Sequence, residues 1–454
     1  MEPVLPNPLP RLYRLYRRSR PGHRQVAKTA EASERFRREA WGWTTPAREA
    51  WMLDALRVTL QAAADGAPFS RERLQQAGVS PARATFEEFA RLPPLDRSDI
   101  AAHWADMLLA DPADSTIRRD STGGSSGQPT AVWKGPVERA WAEGGINFFM
   151  RRAGIPFGAR TAFLWGHHLD AGAKEGWKNR ARNLRDNVSW FDCFRLSPDI
   201  LLAYHARLNR LRPDCVIAYG GALAELARVV EGAGLAPRYP RIAFITGAEK
   251  VWAHERERIE RVFGVPVWER YGSRDVGLMA FQAERDAREG FEVDWPNMLV
   301  EPETSDSESA ILVTKLHADA FPMFRYRIGD RARFPAGSGP GRPAVRLAEI
   351  LGRELEMIRI GEDRWLSGAS FPHMFKDYPV MDFQVYQDAG GSVEVRIVPT
   401  APAGWTAEVR SRFDRALHAI LGDTPTTVRF VGDIPRTASN KRRPVISELA
   451  RRHR

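Results

Sequence analysis

The chain of 454 residues is poor in cysteine and in lysine: it has two Cys and, counted along the sequence, eight Lys among 67 basic residues. Cys193 and Cys215 stand far apart with no Cys-x-x-Cys or other metal-ligand spacing, which argues against a disulfide scaffold or a structural zinc site. No bound zinc is expected. No run of 18 apolar residues occurs, and the first residues lack the apolar segment of a secretory signal. These absences predict a soluble, cytoplasmic protein with no transmembrane segment, and they set no oligomeric state.

What is present supports packed globular domains. The hydrophobic fraction is 43%, with 14 Trp and 22 Phe, and the length favours two or three domains. Basic residues exceed acidic ones by 67 − 57 = 10, a field that favours phosphates, nucleic acid or anionic lipid. With so few Lys, a coding bias toward Arg accounts for that balance as well. Residues 1–40 hold ten Arg or Lys, among them Arg11, Arg14, Arg17, Arg18 and Arg20, with Leu and Tyr interleaved. The expected form is a helical arm packed on its own domain, the alternative a basic amphipathic helix on a membrane or acidic partner.

From about 135 to 330, the apolar runs Thr161–Trp165, Cys215–Tyr219, Ile242–Thr246 and Val265–Tyr271 read as buried strands. Helix-period stretches at 197–211, 222–234 and 252–263 lie between them, which predicts an α/β sheet covered by helices. Site residues are then expected at strand ends. The Gly/Pro-rich stretch 334–343 reads as a surface loop. Beyond it come short alternating segments near 356–360, 382–387 and 392–398, a helix with Trp405, Val409, Phe413, Leu417 and Ile420 on one face, and a strand at 427–431. The reading is a large α/β domain over 1–350 and a small α+β domain over 351–454, joined near Gly352.

The stretch Asp120-Ser-Thr-Gly-Gly-Ser-Ser-Gly-Gln-Pro-Thr130 is the most informative. Its small residues let backbone amides and hydroxyls wrap phosphate oxygens, although a Gly/Ser cluster read alone is more often a connector. It is not a Walker loop, because no Gly-Lys-Ser/Thr follows. Gly123-Gly-Ser125-Ser-Gly127 matches the nucleophile elbow of hydrolases, but an elbow follows a buried strand and opens a helix, and neither flank fits.

Further segments follow in order: Thr246-Gly-Ala-Glu249, Tyr271-Gly-Ser-Arg-Asp275, Phe324-Arg-Tyr-Arg-Ile-Gly-Asp330, Gly352-Arg353, and Ile434-Pro-Arg-Thr-Ala-Ser-Asn-Lys-Arg442. Together with the loop they resemble the signature series of the adenylate-forming (ANL) superfamily. Phe194-Arg-Leu-Ser197, Arg212-Pro213 leading into Tyr219-Gly220, and Phe383-Gln-Val-Tyr-Gln387 resemble its phenylacetate–CoA ligase and CapK-like branch. The resemblance runs from about residue 11 to 448.

That resemblance implies a carboxylate-activating ligase that uses ATP and Mg²⁺, passes through an acyl adenylate, and hands the acyl group to an acceptor, with coenzyme A the leading one. It implies that Thr122, Gly124, Ser125, Ser126 and Gly127 hold phosphates, and that Gly247, Ala248, Glu249, Tyr271 and Gly272 lie near adenine. Asp330 and Arg353 would reach the ribose, and Asp275 would help hold Mg²⁺. Lys441 would carry the charge that adenylation needs, on a small domain that moves between two half-reactions. His167 and His168, after the strand ending at Trp165, would border the acyl pocket.

Departures are visible: Gln128 stands where Lys is usual in the loop, Arg274 precedes the acid, and Leu355 takes the place of the hinge acid, with Glu356 beside it. The alternatives are transfer to an amine, hydroxyl or carrier protein, as in polysaccharide or specialised metabolism, and a non-catalytic basic protein binding nucleic acid or a membrane surface. The partners expected are the carboxylate, ATP and coenzyme A, and no nucleic acid. Ser125→Ala separates the loop from an elbow. The expected outcome is a moderate loss of activity and no labelling of Ser125 by a fluorophosphonate, whereas a nucleophile would lose nearly all activity and be labelled.

Overall fold

The computed structural model describes residues 8–19, 21–121, 131–165, 176–193, 196–247, 249–282, 290–353, 357–360, 364–367, 370–375, 378–435 and 443–449. The N-terminal helices Leu9–Ser19, Pro21–Ala40 and Thr45–Gly66 lead to the antiparallel hairpin β1 (Arg118–Ser121) and β2 (Ala131–Lys134). Next come β3 (Thr161–Trp165), β4 (Val188–Asp192), β5 (Cys215–Tyr219), β6 (Ala243–Gly247) and β7 (Val267–Ser273), all parallel in the order β7-β6-β5-β3-β4. β5 and β6 are buried along their whole length, as strands covered on both faces must be. Helices cover one face through Leu201, Leu208, Leu223, Leu226 and Ile259, and Phe148 and Phe149 of helix Pro136–Arg152 cover the other.

β8 (Gly277–Phe281) and β9 (Phe291–Val293) extend this sheet antiparallel. β10 (Met298–Pro302), β11 (Glu308–Lys315) and β12 (Tyr326–Arg333) begin a second, antiparallel sheet. β13 (Arg346–Leu347) returns to the edge of the first sheet, and β14 (Glu349–Arg353) closes the second in the order β10-β11-β12-β14. A large core lies between the second sheet, β8, β9 and the N-terminal helices, where Trp295, Phe89, Phe321 and Phe324 are almost fully buried.

The Arg-rich beginning of the chain is a packed helical arm. Helix Pro21–Ala40 lies along helix Pro136–Arg152. Its Arg37 is fully buried: Nε and Nη2 donate to the two oxygens of Asp294 at 2.6 and 2.9 Å, and Nη1 donates to the Ser33 carbonyl at 3.1 Å. A bidentate guanidinium–carboxylate pair with its remaining donors satisfied is the form in which such a charge tolerates burial.

After Arg353 the hairpin β15 (Met357–Ile360) and β16 (Arg364–Ser367) leads into β17 (Val380–Gln387), β18 (Val393–Pro399), β19 (Thr426–Phe430) and β20 (Val445–Ser447), a sheet of order β19-β18-β17-β20. Helix Ala407–Leu421 buries Phe413, Leu417 and Leu421 against it; Trp405 precedes the helix. The core of this unit is drawn from residues between 358 and 445. Gln387, fully buried, uses its amide completely. It donates to the Arg359 and Gly391 carbonyls at 2.7 and 3.1 Å and accepts from Arg359 N–H and Ser447 Oγ, both at 2.9 Å, joining the hairpin to the sheet.

His317 lies flat on Trp141, ring centroids 3.6 Å apart, with Nε2 2.9 Å from the Pro296 carbonyl. Burial lowers its pKa from the ordinary 6.5 to about 3. The native state thus binds this proton less readily than the unfolded chain, so the stability involved is present above about pH 6.5 and falls away as the pH drops toward 3. Comparing urea unfolding at pH 7 and pH 5, His317→Gln should lose less stability than wild type, by roughly 1–2 kcal/mol.

Candidate active site

The C-terminal ends of the parallel strands gather the chemistry-bearing segments. Leu164, Ala218, Thr246 and Glu269 stand in one register row across β3, β5, β6 and β7, and Trp165, Tyr219, Gly247 and Arg270 are the residues that follow them. A Cβ on Gly247 would stand 3.2 Å from Cγ and Nε of Arg270, so its absence leaves room for Arg270 to cross. The Arg270 guanidinium lies 5.3 Å from the Trp165 ring centroid. Just beyond β6, Glu249 Oε2 accepts the Gly221 N–H at 2.9 Å, capping helix Gly220–Gly232 from 28 residues away.

The two acid-bearing segments share the pattern Tyr-x-x-x-Asp, and the fold crosses them. Tyr271 Oη donates to Asp330 Oδ2 at 2.7 Å, and Tyr326 Oη donates to Asp275 Oδ2 at 2.7 Å. One segment belongs to the end of β7 and the other to β12, so the two sheets are tied at the site. Gly272 sits inside this crossing, where a Cβ would come within 2.3 Å of the Gly277 carbonyl oxygen. Asp330 faces Arg353 in the β12–β14 register, so those two backbones adjoin; Arg353 is described by its backbone.

The two aspartates have different surroundings. Asp330 and Tyr271 are partly exposed. Asp275 is fully buried: one oxygen accepts from Ser273 Oγ, the other from Tyr326, and Arg97 Nη2 lies 4.0 Å away. Arg97 Nε also donates to Tyr326 Oη at 3.1 Å. Burial and the neighbouring Asp275 charge push the Tyr326 hydroxyl pKa well up, so it remains a donor. Asp275 as placed therefore does not present an oxygen to a hydrated cation, and the geometry assigns it to holding Tyr326.

The flanks of the Gly/Ser loop are the paired strands β1 and β2, with Ser121 opposite Ala131. A strand on each side is incompatible with an elbow, which needs a strand and then a helix. Lys134, which sequence reasoning missed, joins this hairpin to the acid segment. Its Nζ is 3.0 Å from Asp120 Oδ2 and donates to the Arg274 carbonyl. Deeper, Lys315 Nζ donates to Glu138 Oε1 at 2.8 Å. Burial pushes Glu138 up and Lys315 down, each opposed by the other's charge. The rarity of lysine in this chain was the available signal for both.

Thr122, Gly124, Ser125, Ser126, Gly127, His167, His168, Ala248 and Lys441 lie outside the described residues. The chain on either side of the Lys441 segment is described. Ile434 is buried, and the Arg443 carbonyl accepts from buried Gln384 Nε2 at 3.1 Å just before β20 pairs with β17. The chain that follows the Lys441 segment is thereby attached to the small sheet.

No family model matches the chain. In sequence it is 26% identical over 329 residues to a phenylacetate–coenzyme A ligase of Pseudomonas putida, covering 68% of this chain and 71% of that protein. It is 20% identical over 389 residues to protein CapK of Staphylococcus aureus, covering 84% and 85%. Among solved structures it is similar to 2-hydroxyisobutyryl-CoA ligase in the postadenylation state in complex with R3-HIB-AMP, with a TM-score of 0.69 and 20% identity over 90% of this chain and 92% of that one. The same ligase with 2-HIB-AMP and CoA in the thioesterification state gives a TM-score of 0.56 at the same identity and coverage.

The two crossed bonds should differ in weight. Tyr326→Phe strips a donor from a buried carboxylate and should cost about 1–3 kcal/mol in urea unfolding. Tyr271→Phe, whose partner Asp330 is half-buried as a residue, should cost about 0.5–1.5 kcal/mol. Equal losses would contradict the difference in burial.

Proposed function

We propose that this chain, which belongs to the adenylate-forming superfamily on its phenylacetate–CoA ligase and CapK-like branch, is an AMP-forming ligase that activates a carboxylic acid with MgATP and passes the acyl group to coenzyme A. The observation that carries the reading is the crossed Tyr271–Asp330 and Tyr326–Asp275 pairing, which sets a partly exposed carboxylate beside a half-buried tyrosine at the C-terminal edge of a parallel sheet. Ligands of open α/β sheets bind at that edge.

In this reading Tyr271 offers its ring to adenine while its hydroxyl orients Asp330, whose two oxygens accept the ribose hydroxyls. Arg353, on the strand beside Asp330, supports the ribose from β14. Gly247 and Gly272 keep the backbone low under the base, and Glu249, by capping helix Gly220–Gly232, fixes the turn that carries Ala248. Loop residues Thr122, Gly124, Ser125, Ser126 and Gly127 take the β- and γ-phosphates on amides and hydroxyls, and Lys134 sets the hairpin that presents them. Magnesium enters with ATP on the phosphate oxygens that suit a hard cation.

A carboxylate oxygen attacks the α-phosphorus, the bond to pyrophosphate breaks, and the acyl adenylate forms. Two anions meet in that step, and the Lys441 ammonium neutralises charge on both. The acceptor thiolate then attacks the acyl carbon and AMP leaves. Residues 351–454 act as the moving unit between these steps. His167 and His168, which follow Trp165 in the sequence, are assigned to the acyl pocket by the resemblance alone.

A second reading, transfer to an amine, hydroxyl or carrier protein, draws support from the longer alignment with CapK, 84% of the chain against 68% for the phenylacetate–coenzyme A ligase. Trapping activated acids as hydroxamates, with aryl and arylacetic acids first and with and without coenzyme A, distinguishes the two. Lys441→Ala should lower carboxylate-dependent ATP–pyrophosphate exchange about 10²–10³-fold while ATP binding survives. Supplied acyl adenylate should still be consumed at near the wild-type rate. Exchange that persists in the variant would remove Lys441 from the chemistry.

A further inference from the structure

Two helices that pack on each other, Leu9–Ser19 and Trp177–Asp186, expose large apolar side chains. Leu12 is 55% exposed, Leu15 57%, Tyr16 46%, Trp177 76% and Leu184 64%. With about 3.6 residues per turn, Leu9, Leu12, Tyr13, Leu15 and Tyr16 fall on one arc of the first helix. Such a helix normally buries its apolar arc. This one docks by its flank instead: Pro10 is buried close to Gly158, and Tyr13 takes the Arg185 guanidinium over its ring at 3.7 Å. The leucines are left toward solvent.

The charge beside them has one sign. The first helix carries four Arg and no acid, and the second carries Lys178, Arg180, Arg182 and Arg185 against Asp186 alone, which pairs with Arg185 at 2.7 Å. We propose that this two-helix face docks the protein on the surface of an anionic phospholipid bilayer. Leu12, Leu15 and Trp177 would enter the boundary between headgroups and acyl chains, Tyr16 and Trp177 would sit at the depth where amphipathic rings are favoured, and the exposed Lys178, Arg180 and Arg182 would meet lipid phosphates. A bilayer offers apolar depth and negative charge together. A second copy of this chain would bring like-charged rows face to face, which association disfavours. No helix among the described residues is long and apolar enough to cross a membrane, so the attachment is peripheral.

The test uses the full chain and sedimentation with vesicles, one set of phosphatidylcholine alone and one with about a third phosphatidylglycerol. The expected result is binding to the anionic set only, falling several-fold when ionic strength is raised from about 0.1 to about 0.5 M. The double substitution Leu12→Asp/Leu15→Asp and, separately, Trp177→Ser should each weaken binding at least about tenfold, with ATP binding and the circular dichroism spectrum unchanged. Failure of the wild type to bind anionic vesicles, equal binding to both sets, or full retention by the folded double variant overturns the proposal. So does a concentration-dependent dimer that the double variant abolishes, since the face would then belong to a second copy.

Discussion

Two tyrosine–aspartate bonds of equal length, run in opposite directions between β7 and β12, hold the two sheets of the large domain in one relation at the site. Each segment supplies one donor and one acceptor, so neither can shift without breaking both bonds. The consequence is an unequal pair. Asp275 is fully enclosed and serves as an anchor, whereas Asp330, its counterpart four residues beyond the other tyrosine, is kept partly open to a ligand. A buried carboxylate is tolerable only when hydrogen-bonded and near a compensating charge; Ser273 and Tyr326 donate to it, and the Arg97 guanidinium lies 4.0 Å away.

The strand that carries Tyr326 is itself held by arginine. Arg325 adopts φ 52°, a left-handed conformation uncommon for a residue with a side chain. Its buried guanidinium donates to Glu301 Oε1 at 2.9 Å and to the carbonyls of Ala90 and Leu92. Next but one, Arg327 bridges Asp96 at 2.7 Å and Glu303. A planar fork with five donors can join a carboxylate and two carbonyls at once, which an ammonium cannot do in fixed geometry. Part of the arginine that gives this chain its positive balance is therefore spent inside, at Arg37, Arg97 and Arg325, and says nothing of partners.

How far the sequence was legible follows from the range of each interaction. Thr161–Trp165 and Cys215–Tyr219 are strands with the bounds read from their apolar runs, because burial on both faces leaves a purely local mark. The strand expected from Val265 begins at Val267, after Pro266, which has no N–H to give a ladder. The helix read from 222 begins at Gly220, because the cap that starts it comes from Glu249. The resemblance places Tyr271 near adenine, but its hydroxyl bond to Asp330, 59 residues on, leaves no local trace. Lys134 was passed over for the same reason: its partners are Asp120 and a carbonyl 140 residues away.

The two halves of the site are built on different principles. On the nucleotide side the groups are fixed by short bonds between sheets, which suits recognition of a ligand that must sit in one pose before chemistry begins. On the lysine side the positioning belongs to the small sheet. Gln384 holds the Arg443 carbonyl, β20 runs parallel to β17, and Ile434 is buried on the far side of the segment. Gln387, four buried bonds deep, makes β15, β17 and β20 move together. In the proposed reaction, a charge needed in one half-reaction and unwanted in the next would be more economically moved with a whole rigid unit of this kind than by remodelling the loop that bears it.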